Sequence, residues 1–320
     1  MEIKGLKVMV TGGAGFIGSH LVDALLKKGN QVLVYDNFDS FYRGKEHNLE
    51  HHSENSNFKL LRGDILDYDS LTSAMKDVDV VFHLAAQPGI LYSIQRPRKV
   101  QEVNVTGTLN VLSSALDNRV KKVVHASSSS IYGVSKHLPF DEKHPTNPNS
   151  PYAASKLAAE TFCRVFHDVY GLNVVVLRYF SVYGPRQRPD QVIRIFVSNV
   201  LTGKPIVIYG DGEQTRDFTY VDDVVRATMR VAEVEEANGI TINIGSGRRI
   251  SINNLLKEIT RLAGKEETAV VKKERYAGDF PHTLANIELA KKILDWRPTV
   301  DLERGLVKFI DWSKREASVS

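Results

Sequence analysis

Leu6-Lys7-Val8-Met9-Val10-Thr11-Gly12-Gly13-Ala14-Gly15-Phe16-Ile17-Gly18 decides how the chain folds. Leu6 to Val10 reads as a buried strand, and a helical pattern runs from the glycines to about Gly29. Between them Gly13, Gly15 and Gly18 satisfy G-x-G-x-x-G, while Gly12, Gly15 and Gly18 satisfy the related G-x-x-G-x-x-G. Such glycines allow a tight turn and let a pyrophosphate approach a helix N-terminus, whose free N–H groups and dipole favour anions. A second strand, Gln31 to Tyr35, ends at Asp36, eighteen residues past Gly18. A carboxylate there accepts hydrogen bonds from an adenosine ribose and repels a 2′-phosphate, which selects NAD over NADP.

Working outward, strands recur at Phe58 to Leu61, Asp79 to Leu84, Lys122 to Ala126 and Asn173 to Arg178, with a helical stretch over 97–118. Alternating strands and helices predict a doubly wound parallel sheet. Asp64 stands at a strand end where it can cap an adenine, and the small Ala85 and Ala86 let a cofactor lie close to the backbone. Serines 127–130 follow the strand at 122–126, at the carboxyl end where open parallel sheets place ligands. His83 reads as an interior histidine. Residues 38–57 are polar, and their His47, His51 and His52 read as part of a solvated loop and helix, with no Cys or carboxylate pattern to complete a metal site.

Ser150-Pro151-Tyr152-Ala153-Ala154-Ser155-Lys156 opens the next helix and puts Tyr152 and Lys156 on one face, a turn apart. An ammonium beside a phenol lowers its pKa, so the pair is a candidate acid/base device for a hydroxyl proton. After about residue 185 the rhythm loosens. Ile206 to Tyr209 and Ile240 to Ile244 read as short strands; 222–233, 251–263, 287–294 and 301–315 read as helices. The expected division is a nucleotide-binding part over 1–180, to which 217–247 returns, and a smaller α/β lobe from 181–216 and 248–320.

The 320 residues carry a formal net charge of +4, with the basic residues scattered. This argues against nucleic-acid or membrane partners. Cys163 is the sole cysteine, which excludes an intrachain disulfide and suits a reducing, cytoplasmic setting. No apolar stretch is long enough to span a membrane, and the opening strand and glycine turn leave no room for a signal peptide.

On these motifs, together with Asn104, Tyr132-Gly133, Arg178 to Pro185, Gly210 to Asp217 and Gly278 to Ile287, the chain resembles the extended short-chain dehydrogenase/reductases, and among them the nucleotide-sugar 4-epimerases. The resemblance covers nearly the whole length. It implies a Rossmann sheet with a smaller C-terminal substrate lobe, NAD as cofactor, a UDP-sugar as substrate, and a homodimer formed through the helices near 97–118 and 152–170. It assigns catalysis to Ser128, Tyr152 and Lys156, with C4 inverted through a transient 4-keto sugar and NADH. Cofactor contacts are implied for Gly12, Gly15, Phe16, Ile17, Gly18, Asp36, Asn37, Asp64, Ile65, Leu84, Ala85, Ala86, Asn104, Tyr152, Lys156 and Tyr179. Substrate contacts are implied for Ser128, Ser129, Ser130, Ser181, Arg188, Val207, Tyr209, Arg216 and Thr283.

Within this group, 4,6-dehydratases carry Asp-Glu after their catalytic Thr, and UDP-glucuronate decarboxylases carry a Glu two positions after it; here Ser129 and Ser130 fill those places. Ser181, Arg188-Pro189-Asp190, Asn37-Phe38-Asp39 and Ala86-Gln87-Pro88-Gly89 resemble UDP-glucuronate 4-epimerases, although Leu91 stands where those often have Arg. The substrate pointed to is UDP-glucuronate/UDP-galacturonate, with UDP-glucose/UDP-galactose and UDP-N-acetylglucosamine as alternatives. A non-catalytic NAD-binding protein and a net sugar-nucleotide reductase are the rival classes.

Overall fold

The structure is a computed structural model describing residues 1–42, 44–266, 268–275 and 278–319. Its centre is a seven-stranded sheet. The strands are β1 (Lys7–Thr11), β2 (Gln31–Asp36), β3 (Phe58–Arg62), β4 (Val80–His83), β5 (Lys122–Ser128), β6 (Val174–Tyr179) and β11 (Thr241–Ile244). Their order is β11-β6-β5-β4-β1-β2-β3, and every pairing is parallel. Strands β1, β4 and β6 are buried almost throughout, as expected where helices cover both faces. The outer strand β3 is largely solvent-facing and carries Lys59 and Arg62, charges that blunt an exposed edge.

One core packs Leu21, Val22 and Leu25 of α1 (Phe16–Lys27) and Val224 and Val231 of α8 (Val221–Glu233) against the sheet. The opposite core uses Leu71 of α2 (Tyr68–Ala74), Val111, Leu112 and Ala115 of α5 (Gly107–Asp117), and Cys163 and Phe166 of α6 (Pro151–Tyr170). The strand order reverses between β1 and β4, so the turns after Thr11 and His83 diverge and leave a crevice at the strands' carboxyl ends.

The single helix expected over 97–118 is instead α4 (Pro97–Gln101), a π-helical turn (Glu102–Thr106) and α5. The irregular turn turns Asn104 inward, where its amide satisfies the backbone of Gln87 rather than following the helical surface. A short helix α3 (Ile90–Gln95) precedes it, in a stretch with no clear periodicity.

Beyond β6 the chain alternates between the sheet and an outer lobe. Strand β7 (Val182–Tyr183) pairs with β10 (Thr219–Tyr220), and β8 (Ile206–Tyr209) with β13 (Val270–Lys273), both in parallel, while β9 (Thr215–Arg216) pairs with β12 (Ile250–Ser251) antiparallel. Helices α7 (Val192–Thr202), α9 (Ile252–Leu262) and α11 (Leu302–Val319) pack around them, while α10 (Glu288–Leu294) lies against β11 and α8. Helix α9 shows why it forms: Ser251 caps its N-terminus by accepting from Asn254 N, and Ile252, Leu255, Leu256 and Ile259 make one buried stripe.

Candidate active site

A cavity of about 690 Å³ opens along the carboxyl ends of β1, β2, β4, β5 and β6 and reaches the outer lobe. At its floor the turn after β1 carries Gly12, whose φ of +72° suits glycine. A methyl group there would meet Ala85 N at 2.6 Å, and one on Gly18 would meet the Gly12 carbonyl oxygen at 2.3 Å. These glycines are therefore needed to let the turn, α1 and the strand-end segment 84–86 pack. Helix α1 begins after Gly15 with no side-chain cap and no acid in its first turn. Its first-turn N–H groups thus present positive potential to a cavity that Gly15, Phe16, Ile17 and Gly18 line.

Asp36 ends β2 at the same cavity. Its two carboxylate oxygens accept from Ala14 N at 3.0 Å and Phe38 N at 2.9 Å, and burial pushes its pKa up against these bonds and the nearby Lys45 charge. Asn37, Ile65, Leu84, Ala85, Ala86 and Tyr179 line the cavity. An uncapped helix terminus, a methyl-free turn and a ribose-height carboxylate form a cradle that fits a dinucleotide.

The catalytic candidates meet at the other end. Ser150 caps α6 by accepting from Ala153 N at 3.2 Å, and Pro151 at the first helical position fixes the start, so Tyr152 sits in the first turn. Ser128 ends β5; its oxygen accepts from Ser130 N at 3.2 Å, and its hydroxyl donates to the Tyr152 oxygen. Lys156 is 3% exposed, and burial holds its pKa down to about 8. The expected lowering of the Tyr152 pKa is not what this environment produces. Burial pushes it up, and the Arg188 charge and the Ser128 hydrogen bond only partly offset that. The removal of water outweighs the charges that face the phenol.

Ser129, Ser130, Ser181, Arg188 and Arg216 also line the cavity. The buried Ser130 Oγ, Gln87 Nε2 and Gln187 Oε1 have no hydrogen-bond partner among the described residues, and all three residues face this space. Arg188 makes a two-pronged ion pair with Asp190, at 2.9 and 3.0 Å, and lies over the Phe41 ring. Arg216 pairs with Asp279 at 2.5 Å and lies over Phe280.

Five expected contacts fall elsewhere. Asn104 does not line the cavity: it accepts from Gln87 N at 2.7 Å and donates to Ser155 Oγ at 2.9 Å, bracing the walls from behind. Asp64 is spent on Asn37 Nδ2 and Leu66 N, at 2.9 Å each, so Asn37 rather than Asp64 faces the space. Thr283 is 1% exposed and accepts from Asp217 N, which buries it in the outer lobe. Val207 and Tyr209 belong to β8, which pairs with β13, and neither lines the cavity.

Sequence reasoning missed Asp39, Phe41, Tyr42, Lys45, Gln87 and Gln187 as lining residues. The available signal was position: loops that leave the carboxyl ends of parallel strands border the crevice. It also missed the buried support behind β5, where Arg178 binds Glu160 at 2.8 Å, Ser127 donates to Glu160, and Arg178 and Tyr132 continue to Asn243. His83 is an interior histidine, hydrogen-bonded to Thr11 Oγ1 at 2.7 Å and Thr108 Oγ1 at 3.0 Å.

A family model described as GDP-mannose 4,6 dehydratase matches residues 9–309. The chain belongs to that family. It is an extended short-chain dehydrogenase/reductase, and its sheet, glycine turn and Tyr152/Lys156 helix carry the family's architecture. A UDP-glucuronate 4-epimerase from Thermodesulfobacterium geofontis is 41% identical over 96% of this chain and 95% of its own length. A UDP-glucuronic acid 4-epimerase from Bacillus cereus, solved with UDP-glucuronic acid and NAD, superposes with a TM-score of 0.92 at 37% identity, over 97% of this chain and all (100%) of the other. A UDP-glucose 4-epimerase from Thermotoga maritima, solved with UDP-glucose, gives the same TM-score of 0.92 at 36% identity, over 98% and 100% of the two chains.

Proposed function

We propose that this family member is an NAD-dependent UDP-sugar 4-epimerase that interconverts UDP-glucuronate and UDP-galacturonate. The observation that carries the reading is the meeting of Ser128, Tyr152 and Lys156 in one cavity with the uncapped terminus of α1 and Asp36. Gly12, Gly15 to Gly18, Asp36, Asn37, Ile65, Leu84 to Ala86, Tyr179 and Lys156 would hold the cofactor. When bound, NAD supplies a reversible hydride acceptor. Ser128 Oγ holds the reacting sugar oxygen, Tyr152 Oη takes the 4-hydroxyl proton and returns it, and Lys156 supplies positive charge beside the phenol. Burial opposes the phenolate that accepts this proton, and the Arg188 charge and the Ser128 hydrogen bond favour it.

Substrate choice rests on the wall next to Ser128. Ser129, Ser130 and Ser181 offer hydroxyl donors, and Ser130 Oγ has no partner among the described residues, which suits a C6 carboxylate. No carboxylate stands at 129 or 130 to drive the elimination that a dehydratase performs. Arg216 is the candidate for the diphosphate, exchanging Asp279 for it.

The division into a cofactor part over 1–180 with 217–247, and a substrate lobe over 181–216 and 248–320, accompanies this reading. A homodimer through the helical stretches near 97–118 and 152–170 is the reading, and Val165 and Val169 support the α6 side of it, 38% and 68% exposed and one turn apart. A cytoplasmic setting fits the lone, buried Cys163. Among the described residues no helix is long and apolar enough to cross a membrane.

The test is product analysis after incubation with NAD and, separately, UDP-glucuronate, UDP-glucose and UDP-N-acetylglucosamine. UDP-galacturonate should form fastest, with no sustained rise in nicotinamide absorbance. Conversion of a neutral sugar alone would replace the substrate, and steady NADH release would replace the reaction.

A further inference from the structure

Away from the cavity, α1 and the turn Glu50–His52 bring three metal-ligand side chains together. Asp23 projects from α1, and one ligand atom each from Asp23, His51 and His52 lies within 4.8 Å of the others. Nε2 of His51 and Nε2 of His52 both approach the same oxygen, Asp23 Oδ1, at 2.9 and 2.7 Å. The second oxygen, Oδ2, accepts from Arg186 Nη1 at 2.9 Å. The carboxylate is thus oriented from behind by Arg186 while its other oxygen faces two imidazoles.

The two imidazole nitrogens and this oxygen make a convergent N, N, O set. A single cation can take the place of both N–H contacts, as each imidazole can carry its proton on Nδ1 instead. Two nitrogens and one carboxylate oxygen are the donor chemistry of zinc sites with three protein ligands and a water. The Arg186 contact is the outer partner that ligating carboxylates ordinarily have. His51 is about half exposed and Asp23 about one-third, so an ion can enter from solvent.

We propose that Asp23, His51 and His52 bind one divalent transition-metal ion of the zinc class, with water completing a tetrahedral shell. The ion has a bracing role. It ties α1 to the turn that follows the loop after Asp36, and through Asp23 to Arg186, which sits in the left-handed region at φ +62° beside the cavity-lining Gln187 and Arg188. The sequence hides this set because Asp23 lies 28 residues before His51.

The test uses the full chain without an affinity tag, stripped with a chelator and then titrated with Zn2+ by calorimetry and with Co2+ by visible absorption. One ion per chain should bind, with a tetrahedral Co2+ spectrum and a higher thermal midpoint with Zn2+. The His51→Ala/His52→Ala double variant should lose that binding while retaining NAD binding. His52→Gln can still donate to Asp23, so it should keep the metal-free midpoint and lose the metal-dependent rise. Absence of saturable binding, equal binding by the double variant, or an unchanged Zn2+ response in His52→Gln would each overturn the proposal.

Discussion

The side-chain amide of Asn104 donates to the hydroxyl of Ser155 at 2.9 Å, and Ser155 lies one residue before Lys156 on α6. The same amide group satisfies both the N–H and the carbonyl of Gln87. One residue thus fixes the cavity-lining loop after β4 relative to the helix that carries Tyr152 and Lys156. Its three bonds are buried, so Asn104→Ala leaves backbone groups of Gln87 unpaired. We expect a loss of roughly 1–3 kcal/mol in denaturant unfolding together with a lower kcat, since the two walls lose their common support.

Behind the site, Glu160 and Arg178 form a buried ion pair at 2.8 Å, with both side chains less than 10% exposed (6% and 8%). Removing one partner strands the other charge. Glu160→Leu should cost about 3–5 kcal/mol, read as a drop in the denaturant midpoint, whereas Glu160→Gln should cost less because it can still accept from Ser127.

Glycines 15 and 18 should fail differently. A methyl on Gly18 would strike the backbone oxygen of Gly12 at 2.3 Å, so Gly18→Ala should unfold the turn and lower the thermal midpoint. A methyl on Gly15 would sit 3.2 Å from that oxygen and 3.6 Å from the Tyr42 hydroxyl, at the cavity face of the helix terminus. Gly15→Ala should keep most of the stability and weaken NAD binding by at least about tenfold, or about 1.4 kcal/mol, measured by calorimetry.

Acid should destabilise the fold through its interior histidines. Burial, with the Lys156 charge, holds His83 down to about 3, against an ordinary value of 6.5, and burial likewise holds His125 well below it. Between pH 6.5 and about 3 the unfolded chain binds protons that the folded chain refuses. This stabilisation is present above pH 6.5 and lost as pH falls, by up to about 1.4 kcal/mol per unit per group. Urea melts at pH 7, 6 and 5 should show it, and His83→Gln should flatten the slope.

The sheet and the glycine turn were legible because period and punctuation are local: apolar runs end in glycines, and an acid follows at a set distance. The Tyr152/Lys156 helix was legible for the same reason. Asn104 and Thr283 were misplaced because their surroundings depend on a π-helical turn and on a lobe contact, which no local pattern records. Tyr152 kept its position but not its expected acidity, since burial is a property of the packed fold and not of a four-residue spacing. The pairing of Asp23 with His51 and His52 joins two segments that carry separate, ordinary readings.

Epimerisation turns on Tyr152 as the group that exchanges the sugar's proton. The direct measurement is UDP-glucuronate conversion by Tyr152→Phe beside the unaltered chain, with NAD binding by both followed in parallel. Phenylalanine fills the same space without the hydroxyl, so the variant should bind NAD and form no UDP-galacturonate above background while the unaltered chain does. UDP-galacturonate formation by the variant at a comparable rate would contradict the assignment.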